Sequence, residues 1–322
     1  MQKVFITRHI PDVGLAMLRK KKSLHVVVSP QDHAISRRKL LRGVRGADIL
    51  LSILTDHIDA QVMDAAGPQL KMIANYAVGF DNIDLKAAKA RGITVTNTPG
   101  PEISEAVAEH VIALIFALAH RVAETDAFAR KGKYRGWGPE MLLGTDVYGS
   151  TVGIIGGGAI GTAVARRMRD GFDVKILYHD IKRNPELEVT TGAKFCTLPQ
   201  LLKKSDVVSL HVPLLPSTRH MIGRKELAAM KPSAFLINTS RGPIIDEVAL
   251  IDALQRNVIV GAGIDVYEHE PSIPRALRKL RNAVLTPHTA SATHGARNAM
   301  SRVAAANILA FIAGKQPPNV VR

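Results

Sequence analysis

The chain has 322 residues, with 43 Lys and Arg against 28 Asp and Glu for a formal net charge of +15, and it is 46% hydrophobic and 22% charged. A length beyond the roughly 250–300 residues at which single cores stop growing implies two domains, and a composition this close to globular averages excludes a disordered chain. One cysteine, Cys196, excludes an intramolecular disulfide framework and any cysteine-built zinc site, and no metal is expected.

In chain order, strands are predicted over residues 4–7, 24–28, 49–53, 72–75 and 94–97, each followed by polar or Ala-rich residues of turn or helix character, as at 84–89. Pro99-Gly100-Pro101 is a breaker cluster and a candidate hinge, and an Ala-rich stretch at helical spacing covers 104–130. Its most apolar part, 111–119, lies between His110 and His120 and is too short to span a bilayer, so no membrane partner is expected. The rhythm resumes with more apolar runs at 152–155, 174–178, 207–212, 235–238, 258–264 and 283–285. Runs without polar alternation belong to strands covered on both faces. A last Ala-rich helix is predicted over 297–314, with Gly314 and Pro317 as stop signals. Strands alternating with helices along the whole length give an α/β fold of two doubly wound parallel-sheet domains.

Basic residues are scattered, and the densest cluster, Arg19-Lys20-Lys21-Lys22, reads as a solvated helix end. Aromatic residues are 4% of the chain and offer little for bases to stack on, so a nucleic-acid partner is not expected, whereas a small anion suits a basic surface. The chain reaches Arg8 before any signal-like apolar core develops, which with the single cysteine points to the cytoplasm.

The sharpest local signal is the glycine pattern of Gly156, Gly158 and Gly161, directly after a predicted strand and before a helix-like segment at 162–169. Gly156 permits a tight turn, Gly158 lets the backbone approach a pyrophosphate, and Gly161 lets the helix pack on the strand. The free N–H groups of the helix start, at Ala159 and Ile160, then face the phosphates. Asp180 ends the next strand, nineteen residues after Gly161, where an acid bonds the adenosine ribose hydroxyls and repels a 2′-phosphate. This favours NAD over NADP, although Lys182 and Arg183 beside it leave NADP open.

Four further segments follow in order: Asn75-Tyr76-Ala77-Val78-Gly79-Phe80-Asp81-Asn82-Ile83-Asp84, Asn238-Thr239-Ser240-Arg241-Gly242, Gly263-Ile264-Asp265-Val266-Tyr267-Glu268-His269-Glu270-Pro271 and Thr286-Pro287-His288. They resemble the substrate-domain signature and the arginine, glutamate and histidine motifs of the D-isomer-specific 2-hydroxyacid dehydrogenases, most closely the glyoxylate/hydroxypyruvate reductase branch. The resemblance implies two Rossmann-type domains, the substrate domain being discontinuous: residues 1–98 with a return over 287–322, around a dinucleotide-binding domain at 99–286. It further implies Arg241, Glu270 and His288 as catalytic residues, Val78 and Gly79 as backbone contacts to the substrate carboxylate, and Leu51 and Ser52 lining the same pocket. By the same resemblance Asp265 meets the nicotinamide carboxamide, Val212, Pro213 and Thr218 cover adenine and ribose, and Thr239 lies beside the nicotinamide. Trp137 either reaches into a neighbouring subunit's active site or is a buried anchor, and the helical arm over 104–130 implies a homodimer.

The residue types suit that chemistry. Reducing a 2-keto acid needs a cation for its carboxylate and carbonyl, a proton for the nascent alkoxide and a hydride. Arg241 offers a planar, always-charged fork, His288 is a proton donor suited to neutral pH, and Glu270 can orient the imidazole and favour its protonated form. Three positions depart from the family pattern: Ala159 where Arg or Asn is common, Val107 for Thr, and Ala290 for Gly. The expected activity is NAD(H)-dependent reduction of glyoxylate or hydroxypyruvate. Rivals are a 2-ketogluconate reductase, a 3-phosphoglycerate dehydrogenase and an NAD-sensing corepressor, the last of which need not consume NADH.

Overall fold

The computed structural model describes residues 1–30 and 33–321. Two compact units divide the chain: Met1–Ile103 with Ala292–Arg322, and Ser104–Ser291. The first holds β1 (Gln2–Ile6), α1 (Asp12–Arg19), β2 (Leu24–Val28), α2 (Arg37–Gly43), β3 (Ile49–Ile53), α3 (Ala60–Ala66), β4 (Met72–Tyr76), α4 (Leu85–Ala90) and β5 (Thr94–Thr96). Its parallel sheet runs β2-β1-β3-β4-β5, and β3 and β4 are buried at every position, as strands covered on both faces must be. Helices α3 and α4 start on Asp59 and Asp84, whose carboxylates accept the Val62 and Ala87 N–H groups.

The C-terminal helix, His294–Ile312, returns to this unit by packing on α1. A Cβ on Gly14 would stand 2.3 Å from the Ser301 carbonyl oxygen, so only glycine admits the contact. Ser301 Oγ donates to the Pro11 carbonyl at 2.7 Å, and Asn307 Nδ2 donates to the Asn97 carbonyl at 3.1 Å.

The second unit is entered through α5 (Pro101–Ala119), which begins on the last residue of the predicted breaker cluster, where a proline costs no hydrogen bond. The helix expected over 104–130 is in fact two: α6 (Val122–Arg130) follows α5 at a bend of 60°. Arg121 makes the break, at φ +54°, and its guanidinium secures it by bonding Glu124 and the Leu143 carbonyl.

Then come β6 (Thr151–Ile155), α7 (Ala159–Phe172), β7 (Lys175–His179), α8 (Pro185–Thr191), β8 (Lys194–Phe195), α9 (Leu198–Lys204), β9 (Val207–Leu210), α10 (Arg224–Ala229), β10 (Phe235–Asn238), α11 (Glu247–Gln255), β11 (Gly261–Ile264), α12 (Arg275–Arg278) and β12 (Ala283–Leu285). The seven parallel strands lie in the order β12-β11-β10-β9-β6-β7-β8, reversing between β6 and β9. One face of the sheet is covered by Val111, Leu114 and Leu118 of α5 with Val164 and Met168 of α7, the other by Leu201, Leu227, Leu250 and Leu254. This is the doubly wound arrangement.

The strand expected over 258–264 starts only at Gly261, because Val258 N–H is spent on the Ala253 carbonyl at the end of α11. The units divide at 103/104 and 291/292, five residues beyond each expected boundary. The second shift has a visible cause: Thr289 and Ala290 N–H both donate to Asp265, which ties the chain after β12 to the second unit. Among the described residues no single helix is long and apolar enough to cross a membrane.

Candidate active site

Gly156, Gly157 and Gly158 make the whole turn between β6 and α7. Gly156 has φ +100°, and a Cβ there would lie 2.6 Å from the His211 carbonyl carbon, so the turn passes hard against the end of β9. A Cβ on Gly161 would lie 2.1 Å from the Gly156 oxygen, which fixes the helix close on its strand. Gly158 is different: it is exposed, and nothing lies within 4 Å of where its Cβ would be. No side chain caps α7, so the N–H groups at Ala159 and Ile160 open onto that space, as an anion needs.

Asp180 sits on the same turn, its Oδ2 accepting Gly157 N–H at 2.8 Å and its Oδ1 accepting Ile181 N–H at 2.7 Å. Thr239, at the end of β10, has a buried hydroxyl with no hydrogen-bond partner among the described residues, the kind of orphan that a bound molecule satisfies. Open space over the turn, a carboxylate beside it and an orphaned hydroxyl two strands away fit a dinucleotide. Thr218 is less available than its motif suggests: its hydroxyl donates to the Pro213 carbonyl at 2.6 Å and accepts Leu215 N–H at 2.8 Å, which shapes the loop carrying Val212 and Pro213.

Three adjacent parallel strands, β10, β11 and β12, release the loops that carry Arg241, Glu270 and His288. Gly242 lets the first two loops meet, since a Cβ there would stand 1.9 Å from the Tyr267 carbonyl carbon. Arg241 is half-buried; one Nη donates to the Ser240 carbonyl at 2.8 Å, and Asn238 Nδ2 holds the Arg241 carbonyl at 2.9 Å. His288 Nδ1 lies 2.8 Å from Glu270 Oε2, while Glu270 Oε1 accepts Tyr267 N–H at 3.1 Å. The pair is partly open, with the imidazole 23% exposed and the carboxylate 26%. His288 adopts φ +55°, a left-handed conformation that costs a non-glycine residue about 1–2 kcal/mol and persists only where the surroundings hold it.

What holds it is Asp265, fully buried at the end of β11. Its carbonyl accepts His288 N–H at 2.8 Å, and its carboxylate accepts Thr286 Oγ1 at 2.6 Å and the Thr289 and Ala290 N–H groups at 2.8 and 2.9 Å. Burial raises this carboxyl, but hydrogen bonds with His110, Thr286, Thr289 and Ala290 outweigh it and hold it below the usual range. Because Thr286 spends its proton on Asp265, His110 Nε2 at 3.0 Å must be the donor to Thr286 Oγ1. Asp265 thus builds the loop beneath His288, with His110 of α5 as a third member that the sequence did not single out. No local sequence pattern points to His110, whose partner lies 176 residues away.

In the first unit Leu51 and Ser52 are buried in β3, and Ser52 Oγ donates to Asn75 Oδ1 at 3.0 Å. Asn75 Nδ2 donates to the Gly79 carbonyl at 3.0 Å and Asn97 Nδ2 to the Val78 carbonyl at 2.7 Å, so the loop after β4 is held by its carbonyls. Trp137 is 81% exposed and is no buried anchor within the chain.

His211, behind the glycine turn, is 2.9 Å from Ser209 Oγ, and burial pushes its pKa down to about 3. An unfolded chain protonates this imidazole near pH 6.5, so between these values the unfolded state binds more protons and stability falls as pH falls. The slope reaches about 1.4 kcal/mol per pH unit. Replacing His211 with Asn should flatten the fall of the unfolding midpoint between pH 6.5 and 4.5; an unchanged slope refutes the assignment.

A parallel sheet that reverses beside a glycine turn is the framework of nicotinamide-dependent dehydrogenases, and the loops after its next strands add a histidine–carboxylate pair and an arginine. A family model for the NAD-binding domain of D-isomer specific 2-hydroxyacid dehydrogenases matches residues 112–290. The chain is 49% identical to a glyoxylate reductase of Thermococcus litoralis over 99% of its own length and 96% of the relative's. It superposes with a TM-score of 0.93 on the TT0316 protein of Thermus thermophilus, at 44% identity and full coverage of both chains. An NADPH-dependent glyoxylate/hydroxypyruvate reductase of Sinorhizobium meliloti gives 0.85 at 31% identity, with 100% and 98% of the two chains covered. The chain belongs to the D-isomer specific 2-hydroxyacid dehydrogenase family. It is an oxidoreductase that reduces a 2-keto acid with a nicotinamide coenzyme.

Proposed function

We propose that the chain reduces glyoxylate or hydroxypyruvate to the 2-hydroxy acid and prefers NADH to NADPH. The observation that carries the reduction is the contact of His288 Nδ1 with Glu270 at 2.8 Å, on loops beside the one that bears Arg241, and the coenzyme preference rests on Asp180 at the glycine turn. A nicotinamide coenzyme held over the glycine turn would supply the hydride that the keto carbon needs. Arg241 pairs with the substrate carboxylate and polarises the carbonyl through its planar fork. His288 gives its Nε2 proton to the developing alkoxide and keeps Nδ1–H on Glu270, which fixes the orientation of the ring. Asp265 holds the His288 loop, and the Thr239 hydroxyl is free to meet the coenzyme. By the resemblance, Val78 and Gly79 are the positions of the family's backbone contacts to a substrate carboxylate, and their carbonyls are held by Asn97 and Asn75. Ser52 supports that loop from within β3 through Asn75, beside the buried Leu51.

The glyoxylate reductase of T. litoralis, similar over the whole chain, supports a substrate with a small distal group. An NADH and NADPH oxidation panel over glyoxylate, hydroxypyruvate, pyruvate, 2-ketogluconate and phosphohydroxypyruvate tests the reading. Fastest turnover of either of the last two would replace it with the sugar-acid or phosphoglycerate alternative. A homodimer is part of the proposal: Tyr134, Trp137, Leu143 and Tyr148 are all more than half exposed on one segment, an apolar surface suited to a second copy. Trp137 would then reach the neighbouring site, and light scattering at micromolar concentration checks the assembly. A cytoplasmic location rests on the single cysteine.

Asp180 is assigned to the adenosine ribose. Asp180→Ala should raise the NADH Kd about 10-fold or more, the reach of a charge-assisted hydrogen bond, and narrow the preference over NADPH. Unchanged affinity for both coenzymes removes Asp180 from that role.

A further inference from the structure

We propose that Glu188 sets the coenzyme preference by holding the Arg183 guanidinium away from the place of a ribose 2′-phosphate. The proposal rests on the reading that Asp180 marks the adenosine ribose. Asp180 and Asn184 grip opposite sides of one residue of the glycine turn: Asp180 Oδ2 accepts Gly157 N–H at 2.8 Å, and Asn184 Nδ2 donates to the Gly157 carbonyl at 2.7 Å. The three residues between them, Ile181, Lys182 and Arg183, form an exposed arch anchored at both ends on that turn. Any 2′-phosphate on a ribose at Asp180 must lie beside this arch, and Arg183 carries the planar fork that binds phosphate best.

That fork is already filled. Arg183 Nε donates to Glu188 Oε1 at 2.9 Å and Nη2 to Oε2 at 2.8 Å, a two-point clamp, while the guanidinium carbon lies 6.0 Å from the centre of the Phe195 ring. Glu188 is fixed in turn: Tyr178 OH donates to its Oε1 at 2.5 Å, and the same phenol oxygen accepts Asn184 N–H at 2.9 Å. The arch, its cation and the carboxylate that occupies the cation are therefore one hydrogen-bonded unit. Lys182, exposed on the arch, is a point charge without the fork. NADPH must break the Arg183–Glu188 clamp to gain the arginine, and NADH has no reason to.

Calorimetric Kd values for NADH and NADPH on the intact protein test this without reference to turnover. Glu188→Gln should tighten NADPH about three- to fivefold, the reach of an exposed ion pair, and leave NADH within twofold. Arg183→Ala alone should leave both near wild type, and the double substitution should return NADPH to the wild-type value. An unaltered NADPH Kd in Glu188→Gln overturns the proposal. So does a gain that survives in the double variant, because simple charge repulsion by Glu188 would then explain it. Weakened NADH binding in both Glu188→Gln and Glu188→Ala also overturns it, by making Glu188 a support of the fold. Asp180→Ala run beside them separates the underlying reading: if NADH binding ignores that change, the ribose assignment fails whatever Glu188 does.

Discussion

Replacing His288 with Ala will lower kcat for 2-keto acid reduction by about 10²–10⁴, the contribution of a positioned proton donor, and leave the NADH Kd within about twofold. The imidazole is the group whose Nδ1 meets Glu270 at 2.8 Å and whose backbone is locked by Asp265, so its side chain is held ready while the loop does not depend on it. The left-handed φ of +55° complicates the alanine, which tolerates that conformation poorly. His288→Asn is the companion, because Asn is at home there yet cannot donate a proton as imidazolium does. Both variants should lose turnover alike and differ in unfolding midpoint. Turnover within tenfold of wild type for the folded Asn variant would transfer the proton-donor role to another group.

How much of this was legible in the sequence depended on how local the cause was. The glycine turn was readable because each glycine answers a nearby contact: Gly156 against the end of β9 and Gly161 against Gly156 itself. The strands at 24–28, 49–53, 235–238 and 283–285 have the bounds their apolar runs predicted. Strand β8 was missed because both of its residues, Lys194 and Phe195, are exposed and it carries no apolar run. The break at Arg121 was invisible for another reason: the residue type is a good helix former, and only the Glu124 and Leu143 contacts around it favour the left-handed turn.

In the site, motif resemblance pointed to Arg241, Glu270 and His288, and the structure adds the His288–Glu270 contact and the bonds that hold each loop. Asp265 is expected at the coenzyme from the resemblance alone, and the structure adds that its carboxylate accepts from Thr286, Thr289 and Ala290. His110 is 176 residues from the Thr286 hydroxyl it donates to, a pairing no local pattern encodes. The Arg183–Glu188 clamp spans five residues, but it matters only because Asp180 and Asn184 bring that arch onto Gly157.

Arg241 and Glu270 should fail in different ways, and the difference separates substrate holding from proton supply. Arg241→Lys keeps the charge and loses the planar fork, so one charge-assisted hydrogen bond to the keto acid disappears at every pH. Such a bond is worth about 1.5–3 kcal/mol, which predicts a loss of roughly 10–100-fold in kcat/KM with KM raised. Glu270→Gln keeps the shape, and its amide oxygen can still accept from His288 Nδ1, but the charge-assisted hydrogen bond that orients the ring becomes a neutral one. A neutral bond is worth about half as much, so kcat should fall by about 5–10-fold with KM for the keto acid nearly unchanged. The two variants thus move along different axes, Arg241→Lys in KM and kcat/KM and Glu270→Gln in kcat at constant KM. Values of kcat and KM for glyoxylate at saturating NADH read both. A wild-type kcat in Glu270→Gln would leave Glu270 as an anchor for Tyr267 N–H alone, and unaltered Arg241→Lys kinetics would make Arg241 a loop residue held by Asn238 and Ser240.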